Sequence, residues 1–448
     1  MQVILQVLFA LVLIGAFYLF GKRIKFIRRN ILLGKDDHDR TDNKGARIQQ
    51  MVLFALGQKK MFKRPWPAIM HFFVYVGFIL INLELIEIIT DGLLGTHRVL
   101  APVLGSFYPA LIGFLEILAV LVFLGCVVFL WRRNISKVAR FHKSEMKGWP
   151  MLDGNLILVF EIILVGALVT MNAVDLALQA KEAEHYVDTG SFIVSGSFSG
   201  IFEGMSIGAL VAIERVLWWI HILGILFFLN YVTYSKHLHI MLAFPNTYYA
   251  DIDKPKGQME NMPEIQSEVA MMMDPEAAFS DDAPPPPERF GAKDVTDLSW
   301  KNLLDAYSCT ECGRCTSSCP ANLTGKQLSP RKIMMDTRDR VEELGKAKDA
   351  NGADHHDGKS LMGDYISHEE LRACTTCNAC VEECPVNINP LDIILKMRRH
   401  MIMDEAQSPN EWNVMFGNVE NNMAPWAFPA DDRFNWADSI ETKTEKEA

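Results

Sequence analysis

A chain of 448 residues allows about three domains at usual domain sizes. Half of its residues are hydrophobic and the net charge is −10, so no nucleic-acid partner is expected. That charge conceals an asymmetry: the first half holds long apolar runs joined by basic connectors, and the second half is polar and acidic. Eight of the nine cysteines fall in two short runs near the C-terminal end, while Cys126 lies in an apolar run and reads as a small core residue.

Five apolar stretches, near 2–20, 68–90, 107–131, 155–178 and 210–235, are long enough to cross a bilayer, which takes about 20 residues. The first lacks a basic leader and a small-residue cleavage site, so it reads as a retained helix and not as a signal peptide. Lys22, Arg23, Lys25, Arg28 and Arg29 follow it, with Lys59, Lys60, Lys63 and Arg64 further on. Arg132, Arg133, Lys137, Arg140 and Lys143 follow the third stretch. Basic connectors stay in the cytoplasm, so the N-terminus is expected outside and the polar second half inside. The acidic, Gly/Ser-rich loop at 179–208 is expected outside.

Ionisable residues inside these stretches need a reason to be there. Glu84, Glu87, Glu116 and Glu161 either line the bundle interior or meet a quinone or a proton. His71 opens the second stretch at its cytoplasmic end. The fifth carries His221 and runs on to Tyr234-Ser-Lys-His237-Leu-His239. Read as antiparallel helices, the second and fifth stretches bring His71 to the depth of the His237/His239 pair. Two imidazoles at one depth can ligate a haem iron from both sides. On one continuous helix, His221 would sit 18 residues from His239 and about 27 Å deeper, on the same face.

Residues 241–293 read as a linker, with Met271-Met272-Met273 and the stiff run Pro284 to Pro287. A short helix over Leu298–Asp305 precedes the first cysteine run. Ser329-Pro330 opens a further helix, Ser367-His-Glu-Glu370 is a capping box, and Asn389-Pro390 opens another. The first run is Cys309-Thr-Glu-Cys312-Gly-Arg-Cys315-Thr-Ser-Ser-Cys319-Pro320. The second is Cys374-Thr-Thr-Cys377-Asn-Ala-Cys380-Val-Glu-Glu-Cys384-Pro385. Each has the spacing that binds [4Fe–4S] clusters in pairs, the fourth cysteine of one run serving the other run's cluster. Cys309, Cys312, Cys315 and Cys384 are therefore expected on one cluster, and Cys374, Cys377, Cys380 and Cys319 on the other. Zinc would leave the repetition unexplained, and disulfides fit repeated short spacings poorly. Cluster-bound thiolates also agree with a cytosolic location. The tail 404–448, with Trp412, Trp426 and Trp436, reads as a docking segment for this domain or a partner.

The segment His221-Ile-Leu-Gly224 … Tyr234-Ser-Lys-His-Leu-His239-Ile resembles the fifth helix of the cytochrome b subunit of respiratory nitrate reductase and its relatives. The resemblance implies a haem b at His71 and His239, with His237 as the rival ligand. It places a second helix-two ligand at Ile81, which cannot bind iron, so one haem is expected and a second, at His221, lacks a partner. The domain 294–403 resembles, over about residues 294–400, the small dicluster component, of C type, of heterodisulfide reductase and the cluster domain of succinate dehydrogenase. Membrane iron–sulfur oxidoreductases of this type pass electrons between a soluble donor and menaquinone, some accepting them from electron-transferring flavoprotein. Their terminal chemistry sits on a cysteine-rich module with adjacent cysteines, and no Cys-Cys pair occurs here.

The expected architecture is all-α: a five-helix transmembrane bundle of cytochrome b type over 1–240, then the linker, a helical dicluster ferredoxin-like domain and the tail. The expected function is transfer of electrons between a cytosolic partner and membrane quinone through two [4Fe–4S] clusters and haem b. The partner would be a cysteine-rich protein of heterodisulfide-reductase B/D type or electron-transferring flavoprotein. The alternative is a haem-free membrane anchor for the cluster domain; a transporter would need an internal repeat, which is not evident. The topology is testable in the cell (inner) membrane. A cysteine introduced beside Gly190 should react with an impermeant reagent from outside, and one beside Pro286 only from inside; the reverse pattern would contradict the assignment.

Overall fold

Proline in the first turn opens three of the long apolar helices, where its missing N–H costs nothing. In the computed structural model these are α3 (Pro65–Leu94), α5 (Tyr108–Asn134) and α6 (Trp149–Ala180). With α1 (Gln2–Ile31) and α7 (Ile207–Val232) they make five helices long and apolar enough to span a membrane. Shorter helices α2 (Lys44–Met51), α4 (Ala101–Leu104) and α8 (His239–Tyr248) connect or follow them. The structure describes residues 2–37, 40–252 and 289–437, with isolated positions between 265 and 274 and at 440. Met271 and the Pro284–Pro287 run lie outside the described residues. There is no strand among the described residues, and the fold is all-α.

The chain forms two compact units. The first joins Met1–Met259 with Asp294–Ile394, so the five long helices and both cysteine runs belong to one unit. The second joins Glu260–Lys293 with Leu395–Ala448. In it, Ala292 N–H donates to the Lys396 carbonyl at 3.0 Å, and Trp412, Trp426 and Trp436 are exposed.

Within the first unit α6 packs on α5 and α7, α3 packs on α5, and α1 lies against α3 and α7. Phe9, Ile88, Leu168, Met171, Trp218 and Ile222 form the apolar core where α1, α3, α6 and α7 meet. Gly77 lets α3 approach Val122 of α5 closer than any side chain would allow. Cys126 is fully buried in this packing, as its apolar surroundings imply. At the end of the bundle near Gly95, Arg98 turns inward. It donates to Glu84 at 3.2 Å, Asp175 at 2.9 Å and Asn172 at 2.7 Å. Glu87 accepts from the Tyr108 hydroxyl at 2.7 Å, and Glu116 from the Val194 and Ser195 N–H groups at 2.9 and 3.1 Å. Three of the four carboxylates singled out in the apolar stretches thus serve packing at this end.

The cluster region is built on α9 (Trp300–Ser308), α10 (Arg314–Ser317), α11 (Pro320–Leu323), α12 (Pro330–Asn351), α13 (His368–Arg372), α14 (Ala379–Glu383) and α15 (Pro390–Met403). Ser299, Ser329 and Ser367 cap α9, α12 and α13. The helix expected over Leu298–Asp305 starts and ends slightly later, because the Ser299–Asn302 capping box sets its first turn. The basic end of α1 reaches this region. Arg23 pairs with Glu342 at 2.8 Å, and Asn30, fully buried, donates to the Tyr307 hydroxyl at 3.0 Å. The first stretch is therefore longer than the expected 2–20, and Lys22 to Arg29 ride on its helix, not on a connector.

One expectation is corrected. The fifth helix does not continue to His239; α7 stops at Val232 and the chain turns through Thr233–Ser235 before a short 3-10 turn and α8. Asp153 of α6 causes the break. Its carboxylate accepts from the Tyr231 hydroxyl at 2.5 Å, the Ser235 hydroxyl at 2.7 Å and the Lys236 N–H at 3.1 Å. His221 and His239 consequently lie on different helices, and the depth expected for one straight helix does not apply. Asp153→Ala removes all three bonds and should cost about 3 kcal/mol, at about 1 kcal/mol each. Thermal unfolding in detergent measures the loss, and faster hydrogen exchange confined to 233–238 would identify its source; unchanged exchange there would contradict the account.

Candidate functional site

The eight run cysteines gather around two cavities. Cys309, Cys312, Cys315 and Cys384 line the first, with Met334, Val386 and Ile388. Cys319, Cys374 and Cys377 line the second, with Leu328 and Ile394, and Cys380 borders both. The fourth cysteine of each run thus lies with the other run's first two. Positive φ at Glu311, Gly313, Thr376 and Asn378 bends both loops around their thiols. Backbone N–H groups point at sulfur: Thr376 at Cys374 (3.5 Å) and Ile388 at Cys384 (3.3 Å). Such donors stabilise a cluster's negative charge. Among the described residues no three His, Cys, Asp or Glu side chains close around one point, as a zinc ion would need. Burial pushes the Cys309 thiol up to about 12 and Cys384 up to about 11, so metal binding there must displace protons. Cys377 is exposed, whereas the cysteines lining the first cavity are buried or half-buried.

His71 and His239 come together with ring centroids 6.4 Å apart. Two imidazoles bound to one iron at about 2.0 Å, each ring centre about 1.1 Å behind its nitrogen, would have centroids about 6.2 Å apart. His71 Nδ1 donates to Gln58 Oε1 and His239 Nδ1 to the Lys236 carbonyl, both at 3.1 Å. That leaves each Nε2 to ligate, the arrangement metal-binding histidines use. Burial also pushes His239 below its ordinary value, so it is a neutral imidazole at pH 7. His237 stands edge-on to His239 at 5.3 Å and against Phe228 at 5.6 Å, and its backbone N–H donates to the Ser235 hydroxyl. His221 lies elsewhere, buried, with Nδ1 donating to the Leu164 carbonyl at 3.0 Å. The loop histidines His97 and His185 approach each other at 6.1 Å, but both His97 nitrogens are engaged, by Asp175 and by the Val187 N–H.

Groups that reading the sequence did not single out tie these two sites together. Glu311, in the first cysteine run, is buried and accepts from Lys236 at 2.5 Å and Arg338 at 2.8 Å. Although burial pushes it up, Arg338 and Lys236 hold its carboxyl below the usual range, so it is charged at pH 7. Arg314, in the same run, donates to the Lys60 and Met61 carbonyls at 3.1 and 3.2 Å. Lys236 carries the carbonyl behind His239, and Lys60 follows shortly after Gln58 behind His71. Both histidines are thus braced against the loop that lines the first cavity. Arg331, fully buried, adds a bond of 2.6 Å to Glu145 in the connector after α5. Charged residues inside a tight cysteine loop were the available signal; their partners, tens to hundreds of residues away, were not.

Residues 308–388 match the family described as 4Fe-4S dicluster domain, and the match contains all eight run cysteines. The chain is 30% identical to the probable iron-sulfur-binding oxidoreductase FadF of Bacillus subtilis, over 96% of this chain and 60% of that protein. It is 27% identical to the EtfAB:quinone oxidoreductase of Syntrophomonas wolfei, over 91% of this chain and 56% of that protein. One component of the ferredoxin/F(420)H(2)-dependent CoB-CoM heterodisulfide reductase of Methanosarcina acetivorans is 36% identical over 107 residues, 24% of this chain and 52% of that protein. The chain spans less than two thirds of the length of each of these relatives. No solved structure matches.

Glu311→Gln would leave Lys236 and Arg338 buried opposite a neutral side chain. Removing one partner of a buried pair costs about 3–5 kcal/mol. Thermal unfolding of the full chain in detergent should show a loss of that size; a change below about 1 kcal/mol would mean the pair is screened like a surface bridge.

Proposed function

We propose that this chain is a membrane electron-transfer protein that carries electrons between a soluble redox partner and membrane quinone, through two [4Fe–4S] clusters and one haem b. The observation that carries the reading is the His71–His239 pair, separated by the span of one iron, with both Nδ1 atoms hydrogen-bonded away from it. Cys309, Cys312, Cys315 and Cys384 hold one cluster; Cys374, Cys377, Cys380 and Cys319 hold the other. When bound, these groups supply one-electron carriers.

The chain's own residues set the order of the path. Glu311 and Arg314 keep the first cysteine run against the two histidine loops, so the first site faces the bundle. Arg140 and Arg314 place positive charge beside Cys312, which offsets the negative charge of a thiolate-bound cluster. The exposed Cys377 leaves the second site as the one a soluble partner can approach. A cysteine-rich protein of heterodisulfide-reductase B/D type or electron-transferring flavoprotein suits that side, in keeping with the names of the relatives. The basic connectors support a position for that partner on the cytoplasmic side of a cell (inner) membrane.

Substitution separates the parts. His71→Ala and His239→Ala should each lower pyridine-haemochrome haem from about one per chain to near zero, while iron and acid-labile sulfide stay near about eight each. His237→Ala should keep its haem. Retention of haem in both ligand variants would overturn the assignment.

A further inference from the structure

A cavity of about 310 Å³ lies inside the bundle between α1, α3, α6 and α7. Its walls are almost wholly apolar and include Phe17, Phe20, Phe78 and Phe228. Two ionisable groups line it, Glu161 and His221. Apolar walls with a few convergent polar groups are the usual make-up of a small-molecule site. His221 Nδ1 is committed to the Leu164 carbonyl, so Nε2 is the ring atom left to meet a ligand. Glu161 makes no hydrogen bond or ion pair among the described residues, unlike Glu84, Glu87 and Glu116. A carboxyl inside a membrane bundle is costly unless it meets a partner.

Ile81 lines the same cavity and Ile240 and Met241, directly after His239, line it too. Ile81 offers no lone pair to an iron at His221. The neighbourhood of His239 puts any occupant next to the proposed haem site. We propose that this cavity binds the head group of a quinol, one ring hydroxyl at His221 Nε2 and the other at Glu161. The unprotonated Nε2 accepts from a quinol hydroxyl, the carboxyl exchanges a hydrogen bond with the second oxygen, and the aromatic walls hold the ring and the start of the tail.

This inference rests on the quinone-linked reading above, and one experiment separates the two. The probe is the quinol analogue 2-heptyl-4-hydroxyquinoline N-oxide, titrated by fluorescence quenching against the purified full chain in detergent. Cluster and haem content are checked in every sample, so a misfolded variant is recognised. Glu161→Leu and His221→Leu should each weaken binding by about tenfold, as for one lost buried hydrogen bond, with cofactor content unchanged. Tight binding that neither variant alters would overturn the placement and leave the quinone reading standing. No saturable binding to the wild-type chain would overturn both. A second haem in the wild-type chain, lost in His221→Leu, would show that the cavity holds haem and overturn the proposal.

Discussion

Glu311 is a buried carboxylate held between two cations, Lys236 and Arg338. Removing a charge from water costs several kcal/mol, so such a group persists only where partners surround it. Here the carboxylate sits on the cysteine loop, and its two partners come from the long helix α12 and the short turn before α8. Satisfying that one carboxylate therefore fixes the position of the first cysteine run against the turn that carries His239. Arg314 does the same for the connector that carries Gln58, and through it for His71. The spacing of the two imidazoles depends on these latches as much as on the helices that bear them.

The bundle is organised differently at its two ends. Near Gly95 a network around Arg98 consumes the side chains of Glu84, Asp175 and Asn172, and Glu116 closes over the Val194–Ser195 backbone. These charges hold loops and helices together. At the other end Arg23 and Arg64 reach the cluster region, and Arg331 of that region reaches Glu145 in the connector after α5. Between them lies the apolar cavity with Glu161 and His221. The bundle thus uses its polar groups to seal one end and dock the other, and Glu161 and His221 line the cavity between.

Much of this was legible in the sequence. Five helices follow from apolar length, their starts from proline in the first turn, and the cluster-region helices from Ser299, Ser329 and Ser367. The grouping of Cys384 with the first run follows from spacing alone, because the proline after each fourth cysteine turns it away from its own run. The end of α7 was not legible: the residue that breaks it, Asp153, lies on another helix about 80 residues earlier. Nor were the latches, since Glu311, Arg314 and Lys236 look like ordinary charged residues until their partners are known. Local patterns encode elements and ligand sets; the bonds that bring two elements together depend on distant residues and appear only in three dimensions.

The account stands on the cluster region and a haem-bearing bundle forming one electron path. The most direct measurement is an anaerobic optical titration of the purified full chain, reduced stepwise from the oxidised state. The account predicts bleaching of iron–sulfur absorbance together with a b-type α-band from about one haem per chain. Cluster bleaching with no haem band at any potential would contradict it.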